Sequence, residues 1–84
     1  MSEFPTSQAA KFEEAIEVYT QCINKCGEND TKTLIAAHNN RGACYQQLSD
    51  YQSVVDDTTA VLEYDPKNLK ALLRRGLALE GLEK

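Results

Sequence analysis

The sequence has no tryptophan, only two prolines, and no apolar run long enough to cross a bilayer. Because a membrane-spanning helix needs about 20 consecutive apolar residues, no spanning segment is predicted. The first ten residues also lack the charged and then apolar pattern of a secretory signal peptide. The expected location is therefore the cytoplasm.

Features that would indicate catalysis are missing as well. The sequence contains no glycine-rich phosphate loop, no cysteine beside an evident base and no spaced pair of carboxylates in a defined pocket. We therefore expect neither an enzyme nor a bound cofactor. The formal net charge of −4 argues against nucleic-acid binding through a general electrostatic field. The placement of the cations matters more than their number.

Cysteine is sparse, and its odd count is unlike a disulfide-stapled secreted domain. Cys22 and Cys26 stand four residues apart on one predicted helix face, and His38 could act as a third metal ligand. The favoured alternative is that these two residues and Cys44 are small apolar side chains packed between helices, because buried free cysteine is common. We expect reduced thiols and no metal site.

The residues that are present describe a chain that folds into helices. A hydrophobic fraction of 42% and a charged fraction of 26% are ordinary for a globular protein. Apolar residues recur with the 3.6-residue period of a helix, and no segment alternates convincingly with period two. We predict four antiparallel helices joined by short turns, over about 7–25, from near 33 to 48, over 51–64, and from 66 to the end.

Residue types at the helix ends and on the helix faces make this prediction specific. Gly27 should close the first helix in a left-handed conformation, and Thr33 should cap the second. Asp65 and Pro66 should end the third. On that third helix, Asp56 and Asp57 are expected to face solvent. Its expected inward residues are Val54, Val55, Thr58, Val61 and Leu62, and the fourth helix carries a stripe of Leu69, Leu72, Leu73, Leu77 and Leu82.

An internal repeat links the second and fourth helices. Asn40-Arg41-Gly42-Ala43 aligns with Arg74-Arg75-Gly76-Leu77, which places the two glycines 34 residues apart. A mid-helix glycine costs about 1 kcal/mol relative to alanine, so two glycines at one period indicate a close approach of helices. With Tyr45 at repeat position 11 and Pro66 at position 32, this pattern resembles the tetratricopeptide repeat. His38 departs from the tryptophan typical of its position and is expected to be a packing residue.

The resemblance implies an all-α architecture, an antiparallel helix-turn-helix array that winds into an α-α superhelix. It implies a single partial domain over residues 1–84, with a half repeat at 7–27, a full repeat at 35–68 and a half repeat at 69–84. Because such arrays need stacked neighbours and capped ends, we expect a chain truncated at both ends.

In this family the first helix of each repeat lines a concave groove, and repeat positions 2 and 6 point into it. These positions are Ala36 and Asn40 in the full repeat, and Lys70 and Arg74 in the next. Asn40, Lys70 and Arg74 resemble the dicarboxylate clamp of Hsp-organising-type co-chaperones. The resemblance implies binding of the acidic carboxy-terminal peptide of seventy- and ninety-kilodalton heat-shock chaperones.

The chemistry of the three side chains agrees with that implication, and alternatives remain. Lysine meets a carboxylate as a point charge, arginine by a forked pair of hydrogen bonds and asparagine by its amide donor. A solvated cationic stripe is the plain alternative. Arg41 and Arg75 should face a neighbouring helix or solvent, with contact to the ligand as the less favoured role. The second functional hypothesis is a self-associating scaffold, a homodimer formed through unpaired helix faces.

Overall fold

The computed structural model describes residues 3–27 and 29–83, with side chains from residue 9 onward. Residues 1, 2, 28 and 84 of the predicted domain lie outside the described residues. Four helices follow one another, α1 (Glu3–Lys25), α2 (Thr31–Gln47), α3 (Tyr51–Tyr64) and α4 (Leu69–Glu83). Consecutive helices pack together across short turns, and α4 also touches α2. The prediction of an all-α array of about four helices is confirmed.

Within the described ranges, none of the helices is both long and apolar enough to span a membrane. The first helix begins about four residues earlier than the sequence pattern predicted.

Short polar side chains begin three of the helices. The Asp30 carboxylate accepts a hydrogen bond from the backbone N–H of Thr33 at 3.3 Å, and Asp50 accepts one from Ser53 at 3.4 Å. Asn68 accepts the corresponding bond from Ala71 at 3.0 Å. The prediction of Thr33 as a cap is wrong, because the helix already includes residues 31 and 32 and Thr33 is the donor that Asp30 satisfies.

The left-handed residue lies in a different turn from the one predicted. No glycine in the described part of the chain has a positive φ, so the expected left-handed stop at Gly27 is wrong. Ser49 has a φ of 60° instead. It lies in the three-residue turn between α2 and α3, where its N–H donates to the Gln46 carbonyl at 3.0 Å. A turn this short has to reverse direction at once, and a left-handed residue accomplishes the reversal.

The core is small and lies between the helices. Its buried apolar residues are Leu34, Ala37, Val54, Val61, Ala71 and Ala78. The inward placement predicted for Val54, Thr58 and Val61 is confirmed, and the Thr58 hydroxyl donates to the Val54 carbonyl at 2.8 Å. Fully burying a valine contributes about 1.5–3 kcal/mol, so the two valines carry much of the stability of this core.

Asp57 is buried, with 2% of its surface exposed, and its predicted outward position is wrong. It stands three residues after Val54 and four before Val61, a spacing that places all three side chains on one helix face. Asp56 is exposed, as predicted.

The two repeat glycines differ in their surroundings. Gly42 is buried, and a Cβ added there would meet the Asp57 Cβ at 3.5 Å and the Arg74 Cδ at 3.7 Å. A methyl group would fit, whereas a larger side chain would displace Arg74. Gly76 has no described atom within 4 Å of such a Cβ, so the expected close approach is absent there among the described residues. Gly81 leaves the least room, because a Cβ would lie 2.7 Å from the Tyr51 ring.

The predicted leucine stripe of α4 lies on the surface. All six leucines of this helix are exposed, with Leu69 at 73% and Leu73 at 70%. The helix is buried instead through Ala71 and Ala78, whose small side chains permit close packing.

Candidate functional site

A shallow groove lies between the end of α2 and the first turns of α4. It has a volume of about 180 Å³ and is lined by Gln46, Lys70, Leu73, Arg74 and Leu77. Lys70 and Arg74 stand four residues apart on α4 and therefore share one helix face. None of the described residues that line the groove carries a carboxylate. The groove therefore combines two cations with two exposed leucine side chains.

Arg74 is held against α2 by two neighbours. Its Nε–H donates to the Gln46 Oε1 at 3.1 Å. Its Cδ lies 3.7 Å from the position that a Gly42 Cβ would occupy, so the missing side chain of Gly42 makes room for the arginine stem. Arg74 is half-buried as a result, while Lys70 remains exposed.

Two other candidate groove residues lie nearer the start of α2. Asn40 and Ala36 are both exposed, and neither lines the groove. Asn40 precedes Gln46 by six residues, a rise of about 9 Å along the helix axis. The structure thus brings Lys70 and Arg74 together in one groove and places Asn40 outside it.

Arg41 belongs to a separate polar cluster in the interior. Its Nε donates to the Asp57 Oδ2 at 2.9 Å, and its Nη2 donates to Oδ1 at 2.6 Å. Its Nη1 donates to the Thr20 hydroxyl at 2.9 Å. The His38 Nδ1 lies 2.9 Å from the same Asp57 Oδ1 and donates to it, since an ionised carboxylate can only accept. This cluster joins α1, α2 and α3.

The surroundings of Arg41 stabilise the charged form of its guanidinium. The Asp57 carboxylate raises the pKa of the Arg41 guanidinium, chiefly by hydrogen bonding and then by charge attraction, while burial opposes the rise. The forked pairing uses both carboxylate oxygens, an arrangement that arginine makes and lysine does not. Arg41 is therefore a structural residue that fastens three helices.

The structure also locates the remaining candidates. Arg41 and Arg75 both face a neighbouring helix, as expected. Arg41 donates to Asp57 on α3, and the Arg75 Nε donates to the Thr59 hydroxyl on the same helix at 3.2 Å. Their less favoured role as groove residues finds no support in these bonds. His38, expected to be a packing residue, is a hydrogen-bonding member of the interior cluster.

The cysteines are free thiols, each partly buried. Burial raises the pKa of the Cys44 thiol, which keeps it protonated at neutral pH. In the part of the chain that is described, no group of three His, Cys, Asp or Glu side chains is arranged to hold a metal ion.

Asp57 and Gln46 are among the residues of these sites that sequence reasoning missed. Asp57 had a signal, because it keeps the helical period of the buried residues Val54 and Val61. No sequence pattern indicates a role for Gln46, because its partner Arg74 lies 28 residues away on a different helix.

Three curated proteins show what the chain is similar to. Protein unc-45 homolog B of Danio rerio is 36% identical over 77 residues, covering 92% of this chain and 8% of that protein. The mitochondrial import receptor subunit TOM70 of Homo sapiens is 38% identical over 76 residues, covering 90% of this chain and 12% of that protein. The Hsp70/Hsp90 co-chaperone cns1 of Schizosaccharomyces pombe is 35% identical over 75 residues, covering 88% of this chain and 20% of that protein.

The chain therefore spans a fifth or less of the length of these relatives. No family model and no solved structure matches it.

Helical hairpins that pack on their neighbours, with a sequence period of 34 residues, define the class of helical-repeat proteins. Within that class, the chain belongs to the tetratricopeptide-repeat family.

Proposed function

We propose that this chain is a peptide-binding module of a chaperone adaptor, and that its groove binds an acidic carboxy-terminal peptide of an Hsp70/Hsp90-type chaperone. The observation that carries the proposal is the pairing of Lys70 and Arg74 in one open groove whose described lining residues include no carboxylate. The similarity to a protein named as an Hsp70/Hsp90 co-chaperone supports the choice of partner. The proposed role is binding without catalysis.

The groove suits an extended peptide with two anions at its end. A terminal carboxylate together with an aspartate side chain can meet Lys70 as a point charge and Arg74 as a fork. Leu73 and Leu77 offer apolar surface for a neighbouring side chain of the peptide. Asn40 would reach a more distant part of the peptide. Charge-assisted hydrogen bonds contribute about 1.5–3 kcal/mol each, so three of them near the upper end of that range reach the roughly 8 kcal/mol of a micromolar complex.

The surroundings of the cations favour this role over that of a solvated stripe. Arg74 is half-buried and hydrogen-bonded, so its guanidinium has lost part of its freedom before a ligand arrives. Among the described residues, neither Lys70 nor Arg74 has a carboxylate within ion-pair distance. Both cations are therefore available to an anion from outside.

A titration with a labelled peptide ending in Glu-Glu-Val-Asp tests the proposal. We expect a micromolar Kd for the free acid and a Kd at least about tenfold higher for the same peptide with an amidated end, since one charge-assisted bond is lost. The affinity should also fall as salt is added, because exposed charges are screened. Equal affinities for the acid and the amide would contradict recognition of the terminal carboxylate.

The exposed leucines of α4 favour a second candidate function, which is self-association into a homodimer. An exposed apolar surface of this kind can mark a protein interface. Leu69, which is 73% exposed and does not line the groove, is the residue to change. We expect sedimentation velocity to show a concentration-dependent dimer that Leu69→Ser weakens. A monomer at every concentration would remove this candidate.

The cytoplasmic location remains a prediction. The similarity to a mitochondrial import receptor subunit makes a mitochondrial location the alternative.

A further inference from the structure

We infer that Gln46 takes part in binding the anion: its amide oxygen positions Arg74, and its amide nitrogen donates to the bound carboxylate. The inference rests on the proposed function, since it concerns the same groove. It names a neutral residue on α2 as a determinant of affinity and of selectivity for anionic ligands.

The hydrogen bond between the two residues fixes the orientation of the Gln46 amide. Arginine has only donors, so the atom that faces the Arg74 Nε–H at 3.1 Å has to be the amide oxygen. The NH₂ group then lies in the same plane, on the opposite side of the amide carbon. Among the described side chains it makes no hydrogen bond, and it is not one of the buried atoms. Because Gln46 lines the groove, two N–H donors are free at its wall.

The same bond prepares Arg74 for a ligand. It occupies the Nε–H and leaves the four N–H donors on the two terminal nitrogens, which form the end-on fork that grips a carboxylate. Gly42 and Gln46 lie one turn apart on α2, so the stem and the head of Arg74 are both placed by one helix face. A side chain held in its binding conformation loses less entropy when the ligand binds.

The neutrality of Gln46 is as important as its position. Arg41, by contrast, is paired with the carboxylate of Asp57, which neutralises its charge within the protein. Arg74 is held by an uncharged amide and therefore keeps its full positive charge for an external anion. A carboxylate at position 46 would compete with the ligand for the same guanidinium.

The test compares changes at Gln46 with identical changes at Gln47, an exposed neighbour that does not line the groove. Gln46→Glu and Gln47→Glu alter the net charge equally, so their difference isolates position. With the free-acid Glu-Glu-Val-Asp peptide as probe, we expect Gln46→Glu to raise the Kd by about thirtyfold and Gln47→Glu by less than about threefold. Gln46→Met, which keeps the length of the side chain and removes both hydrogen bonds, should raise it by about tenfold.

Two further measurements separate positioning from a general effect on folding. In an Arg74→Lys background, where the Nε–H is absent, the part of the Gln46→Met effect that acts through Arg74 should disappear, so the double-mutant cycle should be non-additive. In the ligand-free protein, the Arg74 Nε–H resonance should exchange with water faster in Gln46→Met than in the wild type or Gln47→Met.

The outcomes distinguish this inference from the function on which it rests. If the wild-type chain binds the free acid but Gln46→Glu and Gln47→Glu behave alike, the inference is wrong and the proposed function stands. If the wild type does not bind the peptide, both are overturned. Weak binding confined to Gln46→Glu and Gln46→Met, together with the faster exchange of the Arg74 Nε–H, supports both.

Discussion

Replacing Arg41 with methionine is expected to lower the free energy of unfolding by about 3–5 kcal/mol. The change leaves the Asp57 carboxylate, which is 2% exposed, with His38 as its remaining charge-stabilising partner. It also removes the bond to Thr20 that ties α1 to α2. A small domain has about 0.05–0.15 kcal/mol of stability per residue, so the loss is a large part of the total for 84 residues. Urea unfolding followed by circular dichroism measures it.

Arg75→Met is the matched control, because Arg75 occupies the same repeat position 34 residues later. Its described hydrogen bond is to the Thr59 hydroxyl, and it has no ion pair among the described residues. We expect a loss of under about 1 kcal/mol. Equal losses at the two positions would show that the pairing of Arg41 with Asp57 contributes no more to stability than the bond from Arg75 to Thr59. The double change Arg41→Met with Asp57→Leu should recover much of the stability, since it removes both charges together.

Truncating the groove cations should weaken peptide binding and leave the fold intact. We expect Arg74→Ala to raise the Kd for the free-acid peptide by about 30- to 150-fold, and Lys70→Ala by about tenfold. Arg74 has the larger effect because Gln46 and Gly42 already position it, whereas Lys70 is exposed and has to lose side-chain entropy on binding. Fluorescence anisotropy measures both changes.

Lys67→Ala serves as the control for charge. Lys67 is an exposed lysine in the turn before α4 and does not line the groove. It should change the Kd by less than about threefold at moderate salt. Unchanged affinity in both Lys70→Ala and Arg74→Ala, with melting temperatures like the wild type, would exclude the groove as the binding site.

The sequence was a good guide to the helices because their signal is local. A 3.6-residue period needs only the residues of one segment, and it located the inward faces of Val54, Thr58 and Val61 correctly. Asp57 satisfies the same period, but its charge favours a position on the surface. Its partner Arg41 lies 16 residues away on α2, and local periodicity cannot reveal that pairing.

The residues of the candidate site likewise divide into those that the sequence predicts and those that depend on contacts between helices. Lys70 and Arg74 were expected from the resemblance to the tetratricopeptide repeat, which implies that repeat positions 2 and 6 line a groove, and the structure brings them into one groove. Gln46 and the tight contact of Gly81 with Tyr51 arise where different helices approach one another. Those distances depend on how side chains from different helices pack together, and local sequence patterns do not reveal that packing.

The anchoring of α4 through Ala71 and Ala78 has a consequence for how the groove behaves. Burying two methyl groups removes far less apolar surface from water than burying leucines would, so the fully buried apolar surface of α4 is small. Segments of this kind detach most readily in local unfolding. The groove has one wall on α4 and the other on α2, and a peptide that contacts both would favour the attached state. Peptide affinity and the attachment of α4 are therefore thermodynamically linked, and each strengthens the other.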